Sequence, residues 1–288
     1  MRLPNFLIIG AAKSGTTTLN KYLLRHPQVY MSSIKEPQFF AVDEIYAKGL
    51  DWYSSLFNEA KPDQVCGEAS TDYTKFPLYP ETASRIAKTL PDIKMIYIMR
   101  NPVDRAYAYY MHRGRKLGYK ETFEERINET GIYINPSYYM MQIEQYLQFF
   151  PKESFLFLLM DDFLKEPAKV LRQICHFIGV NDDIDLTQEG SIVANSGKQN
   201  LEFRKRKKIT APLRQVPILS NVADVVPQTT KDSVYNLLQQ FSYGKEIQQL
   251  YTPQPMLPET RQMLLEKFKE PNQKLAEFLN RDLSCWDK

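Results

Sequence analysis

A loop near the amino terminus, Gly10-Ala11-Ala12-Lys13-Ser14-Gly15-Thr16-Thr17-Thr18, carries the first recognisable chemistry in this chain. It follows an apolar run, Asn5 to Gly10, and opens a stretch of helical spacing, Thr16 to Arg25. Backbone N–H groups at the start of a helix, with the helix dipole behind them, form an anion site. The two glycines are spaced as in the first half of a Walker phosphate loop. The residue after Gly15 is Thr16, however, where a nucleotide triphosphatase carries its lysine. Lys13 lies inside the loop instead, which aims its ammonium at a different atom of a bound phosphate. A kinase or nucleotidase would also need an aspartate after a later apolar strand, and the run Ile93 to Met99 ends in Arg100. That class is the weaker alternative.

The elements that position the loop follow from hydrophobic patterning. Asn5 to Gly10, Gln64 to Glu68, Ile93 to Met99 and Ser154 to Met160 read as buried strands, and Val29-Tyr30-Met31 as a short second one, whose end would share the first strand's crevice if the two lay side by side. Helical stretches separate them: Pro80 to Leu90, Pro102 to Lys116, Pro136 to Phe149, and Phe163 to Ile178 closed by Gly179. Strands joined by helices predict a parallel sheet with right-handed crossovers, covered on both faces. Residues 181–257 are polar, proline-rich and without a convincing strand, and read as a helical, loop-rich cap. Helical spacing returns over Glu259 to Leu279, with an interruption expected at Pro271. The whole, 1–288, reads as one α/β domain with that cap as a variable segment.

Composition narrows the class further. Hydrophobic residues make up 43% of 288 and charged residues 25%, so the chain can bury a full core and is not a disordered or disulfide-dependent scaffold. A net charge of +3 is too mild to argue for a polyanionic partner. The basic run Arg204 to Lys208 lacks aromatic interleaving and is poor evidence for nucleic acid. Cys66, Cys175 and Cys285 are far apart and odd in number, which points to reduced thiols and a cytoplasmic location. No apolar run approaches the roughly 18 residues needed to span a bilayer. No His, Cys or Asp cluster has metal-ligand spacing, so no metal is expected.

A loop with its lysine inside, followed by a strand ending in Arg100-Asn101-Pro102-Val103-Asp104-Arg105, resembles the sulfotransferases that use 3′-phosphoadenosine 5′-phosphosulfate (PAPS). The likeness is greatest to the heparan sulfate sulfotransferases and their bacterial relatives. Lys35-Glu36-Pro37-Gln38-Phe39-Phe40, Gly49-Leu50-Asp51-Trp52-Tyr53, Gly67-Glu68-Ala69-Ser70 and Tyr139-Met140-Met141-Gln142-Ile143 add to it. It covers most of 4–180 and 258–286 and implies a P-loop-like three-layer fold.

The resemblance also implies roles. Lys13, Ser14, Gly15, Thr16, Thr17 and Thr18 would hold the phosphosulfate, and Arg100 the 3′-phosphate. Glu36 matches the family's catalytic base, and Lys13 would stabilise the leaving nucleotide, adenosine 3′,5′-bisphosphate (PAP). His112 matches a histidine of the N-sulfotransferase branch, where an imidazole assists proton transfer; its bland reading is a helix-surface histidine among tyrosines. Two departures stand out. Ala108 occupies the place of a serine that helps bind the 3′-phosphate, and Ala69 that of a lysine near the reacting sulfate. They are mild support for a second alternative, a binding protein that kept the pocket without turnover. The acceptor implied is a hydroxyl or amine on a carbohydrate, glycolipid or small metabolite.

Overall fold

The computed structural model describes residues 1–188, 190 and 254–288. The expected cap lies mostly, and the basic run Arg204 to Lys208 entirely, outside the described residues. The chain divides into two compact units. The first comprises Met1–Tyr109, Ile127–Ala194 and Leu257–Lys288, and the second Tyr110–Arg126 and Asn195–Met256.

The first unit is built on five parallel strands: β1 (Phe6–Gly10), β2 (Val29–Met31), β3 (Val65–Ala69), β4 (Lys94–Met99) and β5 (Phe155–Leu159). Their spatial order is β2-β3-β1-β4-β5. All five expected strands form within about a residue of their sequence bounds. One neighbour relation differs: β2 pairs with β3, not with β1. Only three residues long and with Tyr30 half-buried, β2 suits an edge, whereas β3 supplies a fully interior strand. Gly67 lets β3 lie directly beside β1, since a Cβ there would sit 2.1 Å from the Phe6 ring.

Alternation along the strands divides the core into two layers. Phe6, Ile8, Ile96 and Ile98 face one side, where they meet Leu19 and Leu23 of α1 (Thr16–Leu23). Val170, Leu171, Ile174 and Ile178 of a later helix, Pro167–Ile178, complete that layer. Leu7, Ile9, Met95, Tyr97 and Met99 face the other side, against Phe39, Tyr53, Tyr139, Ile143, Tyr146 and Trp286. Each such buried aliphatic side chain contributes roughly 1.5–3 kcal/mol. The fold is thus a three-layer α/β sandwich of P-loop-like type.

Between the strands run α2 (Asp43–Tyr46), α3 (Gly49–Ser55), α4 (Thr82–Thr89), α5 (Pro102–Leu117), α6 (Phe123–Glu129) and α7 (Tyr139–Leu147). After β5 come α8 (Met160–Lys165) and α9 (Pro167–Ile178), and after residue 254 α10 (Pro258–Leu279). Two helices differ from expectation. Phe163 to Ile178 is split because Pro167 starts a new helix at its favoured first position. Conversely, α10 runs unbroken through Pro271. Its buried stripe Leu264, Phe268, Asn272 and Leu275 continues on both sides of the proline, so packing outweighs the lost hydrogen bond.

The described part of the second unit holds the end of α5 and the start of α6. Tyr110 donates to the Glu121 carbonyl at 2.9 Å and packs on Phe123, and Arg126 pairs with Glu121 at 2.9 Å. His112 lies in this unit.

Candidate active site

Parallel strands present their C-terminal ends to one edge, and a crevice opens where neighbouring connections leave in opposite directions. Here that point is β1, with β3 on one side and β4 on the other. The loop after β1, the residues after β3 and Arg100 after β4 therefore converge.

The loop is shaped for close backbone approach. Gly10 has φ +156°, and a Cβ there would lie 2.1 Å from Thr74 Oγ1, itself donating to the Ile9 carbonyl at 3.0 Å. Lys13 takes φ +73°. Gly15, at φ +96°, occupies the N-cap of α1 and has no side chain to cap it, so the first-turn N–H groups face the loop without a capping acceptor. Ser14 is fully buried and its hydroxyl finds no hydrogen-bond partner among the described residues. The adjacent Tyr139 hydroxyl donates to the Arg100 carbonyl at 2.6 Å and accepts from the Arg100 N–H at 3.3 Å, so its proton is committed. The Ser14 hydroxyl, beside the Tyr139 oxygen, can turn its proton to a ligand's oxygen in the loop. This cradle fits an anionic phosphosulfate.

Arg100 is fixed from behind. Asn101 caps α5, accepting from Val103 N–H at 3.0 Å and Asp104 N–H at 3.2 Å, while Pro102 starts the helix. The Arg100 guanidinium then lies 3.4 Å from the Lys13 carbonyl and 3.9 Å from Asp104, whose other oxygen accepts from Arg261 at 2.9 Å. Arg105, in the same motif, is buried outright and donates to Ser137 Oγ at 2.6 Å and to the Tyr133 carbonyl. Burial holds its pKa below the usual arginine value.

Glu36 sits after β2 with φ +56°, and Gln38 with φ +58°. Thr71 donates to Glu36 at 3.3 Å, and Lys35 Nζ stands 3.6 Å from its other oxygen. The same Lys35 Nζ donates to Thr17 Oγ1 at 2.8 Å, linking this carboxylate to the first turn of α1. Gln38 donates to Asp72 at 2.6 Å, and Asp72 pairs with the buried Lys75, which donates to Tyr109 at 3.0 Å. Burial pulls the Lys75 pKa down, but Asp72 and Tyr109 outweigh it and leave it raised.

The structure thus brings Lys13, Ser14 to Thr18, Glu36 and Arg100 together in the first unit. His112 belongs to the second unit. Sequence reasoning missed Lys35, Thr71, the Gln38–Asp72–Lys75 chain and, above all, Glu68. Glu68 is fully buried at the end of β3 and accepts from Tyr53 at 2.9 Å, Tyr73 at 2.5 Å and Ser70 at 2.8 Å. Burial pushes its carboxyl up to about 7 against the pull of those donors, and the charge on Glu36 adds to the rise. The available signal was a carboxylate inside the apolar strand Val65-Cys66-Gly67-Glu68-Ala69, a place such a group occupies only when paired. Among the described residues, no group of three or more His, Cys, Asp or Glu is arranged to hold a metal ion.

Comparison with known proteins agrees with this architecture. Residues 3–210 match the sulfotransferase domain family, so the chain belongs to that family. A crystal structure of a sulfotransferase from Alicyclobacillus acidocaldarius superposes with a TM-score of 0.68 and 27% identity, covering 100% of both chains. The membrane-associated sulfotransferase kil1 of Dictyostelium discoideum is 29% identical over 97% of this chain. The bifunctional heparan sulfate N-deacetylase/N-sulfotransferase 2 of Homo sapiens is 30% identical over 65% of it. The chain spans 66% of the first relative's length and 23% of the second's.

Proposed function

We propose that this chain transfers a sulfuryl group from PAPS to a hydroxyl or amine acceptor and releases PAP. PAPS supplies the electrophilic sulfur and a leaving group suited to carry negative charge. In this reading the Ser14 hydroxyl, the first-turn amides and the hydroxyls of Thr16, Thr17 and Thr18 hold the phosphosulfate around Gly15. Arg100 holds the 3′-phosphate, and Lys13 offsets the charge that gathers on the bridging oxygen. Glu36 takes the acceptor's proton as the acceptor–sulfur bond forms and the sulfur–oxygen bond to the nucleotide breaks, the electron pair leaving with the nucleotide. His112 is a secondary candidate for proton transfer.

One observation carries this reading: Lys35 reaches both Thr17 of the anion cradle and Glu36. A phosphate loop and a carboxylate joined by a cation make a site for group transfer with proton removal, since each part alone would only bind. The acceptor we favour is a carbohydrate, glycolipid or small metabolite, and the whole chain serves as one sulfotransferase domain with 181–257 as its variable segment. The test is PAP release from PAPS with a desulfated glycosaminoglycan oligosaccharide, a galactosyl lipid, a phenol and a tyrosine peptide. Transfer to any of these supports the reading. Tight PAP binding without transfer to any would favour a binding protein, and magnesium-dependent ATP turnover a P-loop kinase.

We also place the chain in a reducing compartment such as the cytoplasm, because Cys66, Cys175 and Cys285 are free. No described helix is long and apolar enough to cross a membrane. Recovery of the expressed protein in a washed membrane fraction would overturn the cytoplasmic placement.

A further inference from the structure

Glu36 and Gln38 both hold left-handed backbone conformations, which non-glycine residues adopt only when their surroundings impose them. Two hydroxyls anchor the backbone at Gln38 and at Phe40. The Gln38 N–H donates to Ser70 Oγ at 3.0 Å, and the Phe40 N–H to the Tyr73 hydroxyl at 3.4 Å. Each hydroxyl has one proton, and each spends it on Glu68: Ser70 on one oxygen, Tyr73 on the other, where Tyr53 also donates. The direction of both relays therefore depends on a group that only accepts, which is an ionised carboxylate. Were Glu68 protonated, its own O–H would need an acceptor. One of the hydroxyls would then have to turn its proton away from Glu68, which undoes the present arrangement of that relay.

We propose that Glu68 is a positioning residue for the reaction: its ionised carboxylate holds the Glu36–Gln38 segment in place through Ser70 and Tyr73, and turnover is lost when Glu68 takes up a proton. The inference rests on the reading of Glu36 as proton acceptor. The groups facing Glu68 are Tyr53 from α3, Ser70 and Tyr73 from the turn after β3, Tyr146 from α7 and Glu36 itself. With its carboxyl lifted to about 7, Glu68 is ionised above neutrality and protonates as the pH falls through that value. Its effect on stability runs the other way. The folded carboxyl binds a proton more tightly than an unfolded one, whose pKa is 4.5, so stability falls as pH rises from about 4.5 to about 7.

The experiment uses the full chain, PAPS and whichever of the four acceptors named above is turned over fastest. It measures kcat from pH 5.5 to 9, melting temperature over the same range, and PAP affinity by calorimetry. For the parent, kcat should fall on the acid side with a midpoint near 7, while melting temperature rises as the pH drops. Glu68→Gln should lower kcat about 10- to 100-fold at pH 8, as expected for a misplaced catalytic group. It should also abolish the acid limb near 7, flatten the melting-temperature slope, and leave PAP affinity within about threefold. Ser70→Ala and Tyr73→Phe, each cutting one relay, should lower kcat by a smaller factor, and they carry the test if Glu68→Gln does not fold. An unchanged acid limb or a parent-like kcat in Glu68→Gln overturns the proposal, as do parent-like rates in both relay variants. If Glu36→Gln keeps the parent rate, it is the base assignment that fails, and the proposal falls with it. An inactive Glu36→Gln beside a parent-like Glu68→Gln overturns the positioning role alone.

Discussion

Glu36 is held by two polar neighbours, Thr71 and Lys35. Thr71 donates a hydrogen bond to it at 3.3 Å, and Lys35 Nζ stands 3.6 Å from its other oxygen. Glu36→Gln keeps the side chain's shape and removes its capacity to take a proton. We expect kcat to fall about 100- to 10,000-fold with PAP affinity little altered. A variant within threefold of the parent, measured where transfer is rate-limiting, would move the base elsewhere, with His112 next to be examined. The two cations of the cradle should separate by kinetic effect. Lys13→Ala should mainly lower kcat, and Arg100→Ala should mainly weaken PAP binding by roughly 1.5–3 kcal/mol, the value of a charge-assisted contact. Calorimetry with PAP checks both, and unchanged affinity in Arg100→Ala would remove it from the nucleotide site.

At the scale of elements, the motif Arg100-Asn101-Pro102 is a strand end, a helix cap and a helix start in consecutive residues. Asn101 does a second job, since its amide donates to the Trp286 carbonyl at 3.0 Å and so ties the chain's last turn to the start of α5. Trp286 in turn packs on Tyr139, whose hydroxyl pins the Arg100 backbone. Asn101→Ala removes the cap and leaves a buried carbonyl with one donor fewer. It should cost about 1–3 kcal/mol, read as a lower urea midpoint at unchanged m-value. PAP affinity should fall with it, because Arg100 loses its fixed base. Full stability in Asn101→Ala would show that the C-terminal turn holds α5 without that amide.

Across the whole molecule, an anion site built from cations, hydroxyls and helix amides should work without a divalent ion. Initial rates with PAPS are expected to be the same in excess EDTA as in magnesium. A strict magnesium requirement would instead bring the kinase reading forward. The pH response is a whole-chain property in the same sense: Glu68 favours folding when protonated and, by our proposal, turnover when ionised. The working range is therefore predicted to lie above the pH of greatest stability, and the comparison of parent with Glu68→Gln isolates that one group from the rest.

Local sequence determined the loop and the strands nearly to the residue, and α1, α4 and α5 within about two residues. Each rests on short-range rules: apolar runs for β1, β4 and β5, a glycine at the start of α1, a proline at the start of α5, and Gly179 closing α9. Lys13 was legible from the spacing of the loop, and Arg100 and Glu36 from the resemblance of their segments to the sulfotransferases. Only the tertiary structure decided which strands are neighbours. The place of β3 between β1 and β2 depends on Phe6 of β1 occupying the space that Gly67 leaves, a contact between residues distant in the chain. It alone also set the state of Glu68, because a pKa near 7 comes from burial beside Tyr53, Tyr73, Ser70 and Glu36, supplied by three separate segments. Proline at 271 teaches the same lesson in reverse: the local rule ends a helix there, and a buried stripe running past it on both sides keeps α10 whole. Spacing along a chain specifies hydrogen bonds between near neighbours, whereas desolvation and side-chain contact depend on what the folded chain places around each group.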